Sequence, residues 1–513
     1  MMQASGGQVR RFGRDAKGSV AILFGLALIP ILLGVGIAID YGRALIVRER
    51  MAEAADSAAL AIGSWPGLSQ AELKTRAQQF FNANYPVSAI GTAAALEVTF
   101  DGDDIKVGVK AQVPTTFMKL ANVAKIDVGA STTVTKKQRN IELALVLDTT
   151  GSMDSGGKMT AMKAAAKKMV ETLFDGKTTS ESLKVAVVPF SGAVNVGSDK
   201  KNESWIDKTA KSEIAFEDFK SGIKVFDLYD DMKNRTWAGC VRERDGDSYQ
   251  LTDATPSTGT AASLFAPYFA PDEPDSPNDY DNNYIGDGSY SSATCFSKCT
   301  STVCKRQCNP TKYENASAST SSKGPQFNCP PSRIVPLTNT RSTVLDAING
   351  LVANGNTVIP AGVLWGWRVL SPTAPYTEGK PYDDEKWVKA VVLLTDGENM
   401  VDGGSNGHNM SVYNAFGYAA MGHLGNKNGS QTTSNLNTKT AAVCAAIKSA
   451  NTDPENPVLV YTIGFKITDT TTQNMLKTCA TKPDMYYNSP TNEQLATVFA
   501  DIAQGLSELR IAQ

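Results

Sequence analysis

Histidine is nearly missing from this chain of 513 residues, where His408 and His423 are its two copies. Imidazole is the commonest general base and a frequent metal ligand near neutral pH, so chemistry centred on histidine, a zinc hydrolase included, is disfavoured from the start. Both histidines stand in Gly/Asn-rich sequence and read as solvated loop residues. An excess of one charge is missing too. Lys plus Arg is 50 against 52 for Asp plus Glu, a formal net of −2, which leaves no overall field for gripping nucleic acid. What is present suffices for a core: 42% hydrophobic and 20% charged residues exclude wholesale disorder. The length is about three to four times that of a usual domain, so several units are expected.

Charge is also absent from Gly18 to Ile39, GSVAILFGLALIPILLGVGIAI. At about 1.5 Å rise per residue this run reaches about 33 Å, the thickness of a bilayer core, and it reads as one transmembrane helix. Pro30 does not overturn that reading, because transmembrane helices tolerate proline. A cleaved signal peptide is the competing reading. The run is long for one, and the Asp40 to Arg50 segment lacks a small-residue cleavage pattern. Arg10, Arg11, Arg14 and Lys17 precede the span, whereas Arg43, Arg48 and Arg50 after it are mixed with acids, a weak preference for a cytoplasmic tail over residues 1–17.

Cysteine is absent before position 240, and all eight copies (Cys240, Cys295, Cys299, Cys304, Cys308, Cys329, Cys444 and Cys479) lie on the far side of the span. An even number in a translocated region reads as disulfides. The cluster from Cys295 to Cys308 is expected to form two local bridges, with a four-thiolate zinc site as the competing reading; its spacings are not the two-residue knuckles that zinc sites favour. Cys240 is expected to pair with Cys329, and Cys444 with Cys479.

After the span, residues 40–138 read as a helical stem followed by a small α+β unit, with a second helical pattern from Ser69 to Asn82 and alternating strands at 96–100, 104–109 and 125–134. From 139 onward buried strands alternate with helices: 141–147, a helix over 158–174, then strands at 184–190, 389–394 and 458–463. Leu495, Val498, Phe499, Ile502, Leu506 and Leu509 recur at helical spacing near the end. This predicts an α/β doubly wound, mostly parallel sheet over 139–513, interrupted by loop insertions at about 193–335 and 400–436. Trp365 and Trp367 read as core. The acidic stretch with Asp272, Glu273, Asp275, Asp279, Asp281 and Asp287 reads as a solvated loop, a calcium loop being the competing reading despite irregular spacing.

Open parallel sheets bind ligands beyond the carboxyl ends of their strands. The first strand runs into Asp148, Thr149, Thr150, Gly151, Ser152 and Met153; a later strand ends at Thr395 and Asp396; Thr357 sits in a turn before a helix. Asp148, Thr150, Ser152, Thr357 and Asp396 offer only hard oxygen donors, which suit Mg²⁺, with Mn²⁺ or Ca²⁺ as substitutes. So few negative ligands leave the ion positive and receptive to a carboxylate from a partner. Read alone, DTTGSM could equally be a helix cap.

DTTGSM at 148–153, the Thr357 segment and TDGE at 395–398 resemble the three loops of the metal-ion-dependent adhesion site of von Willebrand factor type A domains. That resemblance implies a Rossmann-like fold, with Asp148, Thr150, Ser152 and Thr357 as metal ligands and Asp396 holding the ion directly or through water. Thr150 stands where the family usually has Ser. The front of the chain, with its GSVAI start, AIDYGR exit and AADSAAL run, is similar to TadE/TadG-like proteins of tight-adherence (Flp) pilus assembly. Pilin-like relatives carry Glu five residues after a processed Gly, where this chain has Leu23. Together the two resemblances imply a TadG-like, single-pass protein of the bacterial inner membrane, its amino terminus cytoplasmic and its bulk periplasmic. They imply that it docks an acidic group of a pilus-assembly partner and is not an enzyme. A surface adhesin gripping a host or matrix ligand through the same domain is the alternative. A hydrolase using Ser152 or Thr150 lacks both a nearby histidine and a nucleophile-elbow pattern.

Overall fold

The computed structural model describes residues 17–63, 69–85, 92–93, 95–101, 104–135, 139–219, 222–273, 282–286, 310–318, 323–401, 409–425, 431–454 and 456–509. The expectations for the first 16 residues, for the Cys295 to Cys308 cluster, for Asp275, Asp279, Asp281 and Asp287, and for His408 lie outside them. The chain forms two compact units, residues up to 138 and residues 139–510.

The first unit begins with α1 (Lys17–Gly63), one unbroken helix of 47 residues with Pro30 inside it. Its outer part turns Ile22, Leu23, Phe24, Ile29, Leu32 and Val35 outward, and by length and composition this helix can cross a bilayer. From Ala44 onward the character changes. Ala44, Val47, Met51, Ala54, Ala55, Ala58 and Ile62 recur at three- and four-residue spacing and are buried as a stripe. A second helix, α2 (Gln70–Asn84), starts at a capping box in which the Ser69 side chain accepts from the Glu72 amide and the Glu72 carboxylate accepts from the Ser69 amide. Strands β1 (Thr92–Ala93), β2 (Glu97–Asp101), β3 (Asp104–Pro114) and β4 (Lys125–Thr135) pair antiparallel. Ile105, Val107, Val109, Ala111 and Val113 alternate inward from β3 onto the stripe of α1. The strand expected at 104–109 thus runs five residues further, to Pro114.

The second unit is built on β5 (Asn140–Asp148), β6 (Leu183–Phe190), β7 (Val194–Asn195), β8 (Cys240–Val241), β9 (Val335–Thr338), β10 (Trp387–Thr395), β11 (Leu459–Phe465) and β12 (Tyr486–Ser489). The strand order is β12-β11-β10-β5-β6-β7-β8, with β9 also on β6. All pairings from β12 to β6 are parallel, and β7, β8 and β9 add antiparallel edges. Leu143, Leu145 and Leu147 of β5 pack with α3 (Lys158–Phe174), α4 (Arg341–Asn349) and the later helix Asn492–Leu509, through residues such as Met162, Val344 and Phe499. Ala144 and Val146, pointing the other way, pack with α5 (Ile359–Leu370), α6 (Thr432–Lys448) and α7 (Thr470–Cys479). Helices on both faces of a mainly parallel sheet make this the doubly wound α/β fold that the alternating strands predict.

Helix α5 reaches the sheet closely because two glycines face it. A Cβ on Gly366 would lie 2.4 Å from Val146 Cγ2, and one on Gly362 would lie 2.5 Å from Phe190 Cγ. Its aromatic residues Trp365 and Trp367 are buried, as their core reading expects. The insertions have largely irregular backbone, yet Trp205, Phe219, Phe226, Phe265, Tyr268 and Tyr413 of these segments join the core beneath α5. Disulfides Cys240–Cys329 and Cys444–Cys479 are formed, the pairing expected, closing loops of 89 and 35 residues. In the chain-entropy picture each contributes about 4 to 5 kcal/mol.

Burial corrects two readings. Asp272 and Glu273 are not solvated: Asp272 accepts from the Tyr284 and Ile285 amides and pairs with Lys312 at 2.6 Å, and Glu273 accepts from the Asn282 amide. Nor is His423 a solvated loop residue. Its Nε2 lies 2.7 Å from Glu217 and its Nδ1 3.1 Å from Asp245, with Arg242 on the far side of Glu217 at 2.5 Å. These charges persist away from water because they are paired.

Two expectations follow. Gly366→Ala forces a Cβ into Val146 and should destabilise the chain by about 1 to 3 kcal/mol, read as a lower midpoint in urea at unchanged slope. Burial opposes the charge on His423 and is the largest single influence, but the Glu217 hydrogen bond together with the negative charges of Glu217 and Asp245 outweighs it and the ring is raised above 6.5; Glu217, despite its burial, is held below 4.5 chiefly by Arg242. The raised histidine contributes fully below pH 6.5 and loses that contribution as pH climbs through its folded value, while the lowered Glu217 contributes above pH 4.5. His423→Gln should therefore lower the melting temperature between about pH 4.5 and 6.5, and the deficit should shrink in alkaline buffer. A deficit that does not vary with pH would refute the ionic role.

Candidate metal centre

From β5 the chain crosses to β6 on one side and later returns to β10 on the other, so the order reverses between β5 and β10. At such a switch point the loops diverge and leave a crevice at the carboxyl ends. In the register Leu147 faces Leu394 and Asp148 faces Phe190, which puts Asp148 and Asp396 on neighbouring strand ends. Asp148 is fully buried. Its carboxylate accepts from the Thr150 amide at 2.8 Å and from the Thr395 hydroxyl at 2.7 Å. After Thr150 the chain makes a tight turn over Gly151–Asp154 before α3 begins, and that turn brings the hydroxyls together. Thr150 Oγ1 and Ser152 Oγ are 3.0 Å apart, and Ser152 Oγ donates to Asp396 at 2.6 Å.

Four of the five candidate side chains, Asp148, Thr150, Ser152 and Asp396, thus stand in one hydrogen-bonded cluster. Thr357 is brought alongside by backbone. It pairs with Met400 through two backbone hydrogen bonds, while the preceding turn donates from the Asn354 amide to Thr149 O at 2.7 Å and accepts at Gly355 O from the Gly151 amide at 2.9 Å. Gly355 has φ +81°, a conformation that favours glycine, and a Cβ there would meet Asn328 and Ser191.

Burial first, and the nearby charge of Asp396 second, push the Asp148 carboxyl up to about 7. Asp396 has a cation, Lys158, whose Nζ lies 2.8 Å from its Oδ2, whereas the donors to Asp148 are neutral. Among the described residues no group of three His, Cys, Asp or Glu side chains is placed to hold a metal ion, so any ion here rests on two carboxylates and hydroxyls. Oxygen donors around a buried carboxylate suit a hard divalent cation. Lys158 and Thr395 are absent from the set expected from sequence. Thr395 was legible as the neighbour of Asp396; Lys158 was hidden as an ordinary first residue of a helix. Beside the crevice is a groove of about 690 Å³ lined by Asn195, Arg235, Lys323, Gln326, Phe327 and the 354–356 turn, with no acid among the described residues that line it.

These features define a class: a doubly wound α/β domain with an oxygen-rich crevice at its switch point, on a chain that also carries a helix able to cross a membrane. Residues 18–63, most of α1, match the family described as putative Flp pilus-assembly TadE/G-like. No curated protein matches the chain. Among solved structures it is similar to the vWF domain of the type V pili tip protein Mfa5 from Porphyromonas gingivalis (9% identity, TM-score 0.32, covering 72% of this chain and 96% of that one). It is similar also to the pilus adhesin SpaC from Lactobacillus rhamnosus GG (11%, TM-score 0.30), covering 82% of this chain and 35% of that one. A third is proximal thread matrix protein 1 from the mussel byssus with zinc occupied MIDAS motif (12%, TM-score 0.28, covering 73% and 47%).

Proposed function

We propose that this chain is a membrane-anchored docking component of tight-adherence pilus assembly. In this reading Asp148, Thr150, Ser152, Thr357 and Asp396 hold a divalent cation, Mg²⁺ in the first instance, with a position left for a partner's carboxylate. The observation that carries it is the convergence of two carboxylates and two hydroxyls from loops some 250 positions apart, one carboxylate buried without a cation of its own charge-pairing it. A bound divalent ion would supply that charge and attract an acidic group. Arg235 and Lys323 in the adjoining groove favour the same kind of partner. The TadE/G-like match of α1 supports placement in pilus assembly, and two disulfides support an oxidising compartment such as the periplasm, with the amino terminus cytoplasmic. The role is binding and not catalysis.

Isothermal titration of the full chain in detergent should show uptake of one Mg²⁺ or Mn²⁺ per chain. Asp148→Ala should abolish that uptake, and with it the chelator-sensitive capture of envelope proteins, while circular dichroism is unchanged. Heat-silent titration of the unmutated chain with both ions would sink the reading. Lys158 places a positive charge on Asp396 that any arriving cation must share. Lys158→Met should therefore tighten Mg²⁺ binding by about tenfold, roughly 1.4 kcal/mol; weaker binding would mean that Lys158 holds Asp396 in position instead.

A further inference from the structure

The turn joining β3 to β4 exposes a cluster of apolar side chains. Leu120 is 80% exposed, Val123 40% and Phe117 38%, with Met118 and Ala121 between them and Ala124 directly after. Exposed apolar side chains clustered on one loop call for a partner. The structure holds this loop tightly. Thr115 donates from its amide to Ala124 O at 3.1 Å, closing the turn. The Asp40 carboxylate accepts from the amides of Thr116, Phe117 and Met118 at 3.0, 2.7 and 2.8 Å, and Arg43 donates to the Thr116 hydroxyl at 3.0 Å. Phe117 rests in the notch left by Gly36, where a Cβ would lie 2.4 Å from the phenylalanine Cβ.

Gly36 lies within the uncharged run, one helical turn or about 6 Å before Asp40, the residue that ends it. The loop is therefore fastened at the level where α1 leaves the lipid, and Lys119 and Lys125, both exposed, flank its apolar residues. Interfacial segments show this arrangement, with apolar side chains at the acyl boundary and cations at the phosphates.

We propose that the β3–β4 tip is a second membrane contact, seating Phe117, Leu120 and Val123 in the headgroup region beside α1. The occupant is lipid, because the loop is continuous with the surface that α1 already presents to lipid. The proposal rests on the reading of α1 as a membrane span. With it the small unit is held to the bilayer at two points, and the hairpin, 11 residue pairs long, stands away from the surface by up to about 35 Å.

The test uses the full chain in phosphatidylcholine and phosphatidylglycerol vesicles with and without 5-doxyl lipid, carrying an NBD label on Leu120→Cys, on Ile22→Cys within the span, or on Asp101→Cys at the far end of the hairpin, with the unmutated chain as the labelling blank. The label at 22 should be quenched by the doxyl lipid and that at 101 should not. The label at 120 should emit to the blue of that at 101 and lose at least half its intensity to the doxyl lipid. If 120 behaves like 101 while 22 is quenched, the span stands and the tip proposal falls. Blue-shifted emission at 120 that the doxyl lipid leaves unquenched would mean a protein covers the tip and would overturn it too. An unquenched label at 22 would remove the span and this proposal together.

Discussion

A carboxylate can be buried at the end of a central strand only if donors meet it there, and Asp148 is placed under that constraint by the register of three parallel strands. β5 lies between β6 and β10 with side chains packed on both faces, and its buried Glu142 is paired with Lys389 of β10 at 2.6 Å, so a slip by one residue would break that pair as well as displace Asp148. The amide of Thr150 and the hydroxyl of Thr395 are where they are because the tight turn after β5 and the end of β10 sit side by side. Much else in the domain serves that arrangement: the glycines that let α5 close on β5 and β6, and the turn at Gly355 that ties Thr357 to the loop after Asp148.

Strong periodicity made much of this architecture legible. The apolar run before Asp40 and the continuous apolar strands at 141–147 and 389–394 carry patterns that only one environment satisfies, whereas the Ala-rich stem after Asp40 read as helix without announcing which of its sides is buried. The oxygen donors were legible because short polar residues directly after a buried strand have few other places to be. Lys158 was not, since a lysine at the start of a helix is ordinary until its partner, 238 positions away, is known.

The insertions show where such reading fails. Trp205, Phe265, Tyr268 and Tyr413 are buried on backbone with little repeating structure, so neither a 3.6- nor a 2-residue period announces them. Their burial carries charge with it. His423 between Glu217 and Asp245, Arg368 on Glu243 and Asp272 on Lys312 are pairs formed across long stretches of chain. A composition rich in Ser, Asp and Pro looks solvated, but aromatic residues interleaved with it supply a core that only tertiary contact reveals.

The 47 residues of α1 form one rod, about 70 Å long, whose first half is dressed for lipid and whose second half is a wall of the small core. The helix runs on without a break from one half into the other. A lean of this helix in a thinner or thicker bilayer would therefore be a lean of the little sheet itself.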